Sequence, residues 1–192
     1  TKKNGILNTM KKILLTLGLL LVTTASAIAF TMPRWSFFPV KVYVPAGDRA
    51  EAINEALNEW STKSNGLISF KQSKSKISAN IVFEVAGDAN VPGTTDIHAA
   101  TTYLFKVDVT LADAVGGKKL PDTRFKAAAL HEIANALGLK LIEDQGYITT
   151  KNFYEQVTQP NELQDKDIEV LDKTYRETSI KDTIQKREDS KE

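Results

Sequence analysis

The run Ala127-Ala128-Ala129-Leu130-His131-Glu132-Ile133-Ala134-Asn135-Ala136-Leu137-Gly138-Leu139 constrains this chain more than any other stretch. It continues a helical pattern that opens at Pro121-Asp122 and runs to Gly138, about 17 residues, with Asp122 or Thr123 as the cap and Gly138 as the stop or kink. Leu130, Ala134, Leu137 and Leu141 fall on one helix face. An apolar stripe of that kind faces a core, and Leu141 would carry the helix slightly past Gly138.

The remaining segments tell what this helix packs against. Phe38 to Pro45 alternates and ends at a proline, as a strand does. Asp48 to Trp60 places Ile53, Leu57 and Trp60 at helical spacing, and Asn65-Gly66 stops that helix. Leu67 to Phe70 reads as a short strand, Lys71 to Lys76 as a solvated basic loop, and Ala79 to Val85 as a central strand. Ala86 to Ala99 is rich in Gly, Asp, Asn and Thr and reads as a long loop. Thr101 to Leu111 holds one or two strands, and Gly116-Gly117 breaks the chain. Gln145 to Glu162 is polar and weakly patterned. Asp165 to Tyr175 is a second amphipathic helix, capped around Asn161 to Gln164. The expected fold is α+β: one mixed, twisted sheet with a long helix and a C-terminal helix.

Composition matters at the two ends. Met10 reads as the initiator, with Thr1 to Thr9 upstream. Lys11-Lys12, the apolar run Ile13 to Val22 and the small residues Ala25 to Ala29 follow in the order of a secretory signal peptide, cleaved after Ala27 or Ala29. The apolar run is short for a spanning helix, so membrane contact is expected only through an uncleaved signal. Residues 1–29 are thus expected to be a signal peptide, 30–176 the domain, and 177–192 a charged tail. From Arg176 to Glu192 ten of seventeen residues are charged, five of each sign, which predicts a solvated extension or a disordered tail. The whole chain has 25 basic and 24 acidic residues; losing four lysines and no acid with the signal leaves 21 and 24, a net of about −3. No basic field marks a nucleic-acid binder. The chain has no cysteine, which excludes disulfides, thiolate metal ligands and a thiol nucleophile. The expected location is secreted, periplasmic or extracellular.

Chemistry concentrates in His131-Glu132-Ile133-Ala134-Asn135, one residue away from H-E-x-x-H. There, two His at i and i+4 bind Zn²⁺ from one helix face and the Glu acts as general base on the metal-bound water. A Gly three places after the second His lets the chain turn so that a third His completes the set, H-E-x-x-H-x-x-G-x-x-H.

On these residues the chain resembles a matrixin-like zinc metallopeptidase of the metzincin group. Trp35 and Phe38 to Val44 are similar to that family's opening strand. The helix ending at Trp60, then Ile68-Ser69-Phe70 and Ala79 to Phe83, follow in its order. Leu163 to Tyr175, with Asp167-Ile168 and Leu171, resembles its closing helix. The resemblance implies a metzincin-like fold, zinc as cofactor, His131 as metal ligand, Glu132 as general base, and hydrolysis of an extended peptide or protein substrate lying along a sheet edge.

The sequence departs from the pattern in three places. Asn135 stands at the second ligand position, where an amide oxygen is a poor substitute for imidazole. Leu141 or Ile142 stands at the third and binds no metal. Met10 and Met32 both precede the helix, so the family's methionine turn is missing. Structural zinc affinities of ~10–16 kcal/mol need a full ligand set. Glu143, Asp144, Tyr147 and Tyr154 lie nearby, at the wrong spacing. Calcium has candidate carboxylates in Asp88, Asp96, Asp108 and Asp113, but their spacing matches no oxygen-ligand loop. His98 sits in the polar stretch, most simply as an exposed side chain. Three functions follow from this reading: a metallopeptidase with weakened or lost activity, a non-catalytic pseudopeptidase that keeps a peptide groove, or an interaction module working through its tail.

Overall fold

The computed structural model describes residues 32–156 and 158–177. The expected signal segment and the tail beyond Glu177 lie outside the described residues. No helix among the described residues is long and apolar enough to cross a membrane.

The elements in chain order are β1 (Val40–Tyr43), α1 (Ala50–Lys63), β2 (Phe70–Gln72), β3 (Ile81–Ala89), β4 (Gly93–Ala100), β5 (Tyr103–Val115), β6 (Lys118–Lys119), α2 (Asp122–Ala136), a 3₁₀ turn (Phe153–Glu155), α3 (Asp165–Asp172) and a π turn (Lys173–Glu177). The sheet runs β2-β1-β3-β5-β4, with β6 beside β5. β1 is parallel to β2 and β3, and β3 is parallel to β5. β4 and β6 are antiparallel to β5, so the sheet is mixed. Together with three α-helices among the described residues this is an α+β fold with a mixed, twisted sheet.

Alternation places the core. Val40 and Val42, Ile81 and Phe83, and Val107, Val109 and Leu111 turn to one face and are buried. They join Ile53, Leu57 and Trp60 of α1, Phe125, Leu130 and Ile133 of α2, and Leu171 of α3 in one cluster. Burying an aliphatic or aromatic side chain of this size stabilises by about 1.5–3 kcal/mol, so this shared face holds the layers together.

Three local expectations are corrected. Ala86 to Ala99 is not a long loop: β3 continues to Ala89 and β4 starts at Gly93. β4 is an edge strand whose outward residues Thr94 and Asp96 are exposed and whose inward series is Gly93, Thr95 and Ile97, so little apolar alternation marks it. Asp122 and Thr123 do not cap α2. Pro121 holds the cap position, no side chain caps it, and the Asp122 carboxylate accepts from Arg49 Nη1 at 2.6 Å. Leu141 does not extend the helix face. Gly138 takes φ +71°, its N–H bonds the Asn135 carbonyl (2.9 Å), and the Leu139 N–H bonds that of Ala134 (3.1 Å). That pair of bonds is a Schellman ending, which terminates the helix before Leu141.

Candidate functional site

Aromatic donors far away in sequence set the position of α2. Trp60 Nε1 donates to the Leu130 carbonyl (3.1 Å) and Trp35 Nε1 to that of Ala136 (2.9 Å). The Tyr175 hydroxyl donates to the Leu137 carbonyl (2.7 Å). A Cβ on Gly138 would come within 1.9 Å of the Pro33 carbonyl oxygen, so the chain entering at Pro33 lies directly against the helix end. With the helix held in this way, His131 and Glu132 are both buried, at 4% and 2% exposure.

His131 is fixed through its Nδ1, which lies 2.7 Å from the Ile148 carbonyl. A carbonyl only accepts, so Nδ1 carries the proton and Nε2 the lone pair. Phe153 stacks on the ring at 4.6 Å and Tyr154 meets it edge-on at 5.4 Å. Burial lowers the imidazole's pKa; the Glu132 charge and the Ile148 carbonyl act the other way. The Ile148 carbonyl is held in its turn from α3. Asp167, fully buried, accepts from Thr149 N and Thr149 Oγ1 (both 2.8 Å) and from Gln164 N (2.9 Å). That last bond belongs to the capping box that opens α3.

Glu132 has three donors. Tyr154 OH reaches Oε1 at 2.6 Å, Thr95 Oγ1 reaches Oε2 at 2.6 Å, and Asn135 Nδ2 reaches Oε2 at 3.1 Å. β4 and the 3₁₀ turn deliver the first two only because residue 93 is glycine. A Cβ there would stand 2.6 Å from the Tyr154 hydroxyl and 2.7 Å from Glu132 Cγ. Burial, then the Glu132 charge and hydrogen bond, raise the Tyr154 pKa far above the normal phenol range, so Tyr154 stays a donor.

Of the three positions at which the motif carries zinc ligands, only that of His131 holds one. Among the described residues no group of three or more His, Cys, Asp or Glu is arranged so that it could hold a metal ion, and a catalytic zinc site needs three protein ligands. Asn135 turns its amide to Glu132, and Leu141 and Ile142 offer no donor atom. Glu143 is exposed and pairs with Lys151 at 3.2 Å; Asp144 is exposed as well. His98 lies on β4, 3.2 Å from Asp108 and 3.7 Å from Asp96. Of the calcium candidates, Asp88 instead accepts the Gly117 N–H (3.0 Å) and Asp113 pairs with Arg49 (2.6 Å).

Beside His131 lies a cavity of about 500 Å³, lined by apolar side chains that include Val91, Pro92, Leu120 and Phe153, with Arg124 and Lys151 among its cations. Nothing in the local sequence marks Thr95, Gly93 or Phe153 as part of the site. Tyr154 stands out only as a neighbour of the motif at the wrong spacing, and Asp167 only through the resemblance of the closing helix. The one local signal was the Gln164 to Asp167 spacing of a capping box.

No family model matches the chain, and no curated protein matches it. Among solved structures, that of Myroilysin, a metallopeptidase, is similar with a TM-score of 0.49 and 14% identity, over 72% of this chain and 82% of that one. This is a likeness of outline and decides nothing about the site.

Proposed function

We propose that the protein is an exported domain of the matrixin-like metallopeptidase type that holds peptides without hydrolysing them through zinc. The carrying observation is the use made of Glu132. A general base for a metal-bound water must be free to take a proton. Here three donors occupy a carboxylate with about four acceptor positions, and it is 2% exposed. The amide at the second ligand position is one of those donors. What the geometry leaves usable is a surface. β4 is the outer strand of the sheet, so its far edge presents main-chain groups that an extended peptide can pair with. The cavity beside His131 can receive side chains of such a peptide.

Hydrolysis by an unusual ligand set is the second reading, and one observation favours it. His131 has its Nδ1–H on a backbone carbonyl and its Nε2 open, the arrangement that orients metal-ligating imidazoles. Metal analysis of the purified protein with a competing chelator separates the two. The expected result is no tightly bound zinc, with peptide binding indifferent to the chelator. About one tightly held zinc per chain, with chelator-sensitive cleavage, would replace the first reading by the second.

A further inference from the structure

The cavity beside His131 has more definition than a general peptide groove requires. Its built element is the imidazole, 4% exposed and lining the cavity. Nδ1 is committed to the Ile148 carbonyl, whereas Nε2 has no hydrogen-bond partner among the described residues and, since none of their buried polar side-chain atoms lacks one, is accessible. Nε2 is therefore an acceptor waiting for an N–H or O–H donor. Arg124 lines the same cavity from the same helix, seven residues earlier. It is exposed and has no ion pair or hydrogen bond among the described residues. The other cation, Lys151, is already paired with Glu143. Against these two cations the cavity sets one carboxylate, Glu155.

These features select a ligand. A planar guanidinium with no partner matches a carboxylate, which it can bind in bidentate fashion. Nε2 accepts from a donor, which a peptide N–H supplies and a plain aliphatic carboxylate does not. Seven residues of helix are two turns, about 10 Å along the axis. Three residues of extended peptide cover about the same distance. The wall between the two polar points is apolar. Resting on the peptide-binding reading above, we infer that this cavity takes the C-terminal end of an extended peptide. The free carboxylate sits at Arg124, a main-chain N–H about three residues upstream donates to His131 Nε2, and apolar side chains lie against Val91, Leu120 and Phe153.

The test is calorimetric titration of the full chain with three probes: acetyl-Ala-Ala-Val-Leu with a free carboxylate, the same peptide as its C-terminal amide, and decanoate. The free acid is expected to bind roughly ten-fold tighter than the amide, in line with one charge-assisted bidentate contact. Arg124→Gln should abolish the preference for the acid over the amide. Because Arg124 is exposed, the variant should keep the parent's circular dichroism spectrum and melting temperature, which checks that it is folded. Equal affinity of acid and amide would overturn the carboxylate assignment and leave the peptide reading standing. No binding of either peptide would remove both. An acid preference that survives Arg124→Gln, or decanoate binding as tightly as the peptide acid, would also overturn the inference.

Discussion

Arg49 and Glu132 are both buried ionisable side chains, one packed against α2 and one within it, and the protein handles them in opposite ways. Arg49, 6% exposed, meets formal negative charge: Asp113 and Asp122, each at 2.6 Å, with the Leu120 carbonyl at 2.6 Å. Its guanidinium also lies 4.6 Å from the centre of the Phe125 ring. Glu132 meets only neutral donors, two hydroxyls and an amide. The surroundings differ as well. Asp122 is 95% exposed and Asp113 34%, so water can take over if Arg49 is lost. Glu132 itself is 2% exposed, so water has little access to its carboxylate if a donor is lost. The Arg49 cluster is a tolerant clamp that joins the start of α1 to the start of α2. The Glu132 cluster is a brittle lock that joins α2 to β4 and the 3₁₀ turn.

Overfilling the lock should have the largest effect. Gly93→Ala puts a methyl group into space held by the Tyr154 hydroxyl and Glu132 Cγ, and Tyr154 must leave. Overpacking and a lost hydrogen bond to a buried carboxylate together cost about 3 kcal/mol. Urea denaturation measures this. A loss below about 1 kcal/mol would mean that β4 does not approach Glu132 this closely, since overpacking alone is worth at least that.

A paired measurement compares lock and clamp directly. Tyr154→Phe removes one donor from Glu132 and should cost about 2 kcal/mol. Arg49→Met keeps the stem over Phe125 but discards the charge, and should cost about 1 kcal/mol, because a largely solvated partner such as Asp122 is worth little. If Arg49→Met proves the more damaging of the two, the contrast between clamp and lock is wrong.

That contrast also marks what could be read from the sequence. α2 was legible from its apolar stripe and Gly138, α1 from Ile53, Leu57 and Trp60, and the central strands from their alternation. The His131-Glu132 pair stood out because adjacent residues on one helix carry their spacing in the sequence. What surrounds the pair did not, because Thr95 and Tyr154 come from segments 37 and 22 residues away. No periodicity links such segments; only the fold brings them together. Thr95 was further hidden because its strand is a polar edge, and Asp122 because its carboxylate, suited to capping α2, is taken by Arg49.

The smallest expected effect is a pH dependence that belongs to His131, beside the lock. Burial, opposed by Glu132 and the Ile148 carbonyl, puts the His131 pKa below its ordinary 6.5. Between pH 6.5 and that lower value the unfolded chain binds a proton that the native protein does not, so stability rises with pH across this window. Seen from neutral pH, the contribution is fully present above 6.5 and is lost progressively as the pH falls, until His131 itself protonates in the fold. His131→Gln has no such titration and can still donate to the Ile148 carbonyl. Urea midpoints at several pH values between 7.5 and 5 should therefore show the parent protein losing stability relative to the variant below pH 6.5, and a constant separation would show that His131 is not held neutral by burial. Arg49→Met, measured over the same range, should keep the parent's slope because it leaves His131 in place. An altered slope in that variant would mean that the two ends of α2 are coupled rather than independent.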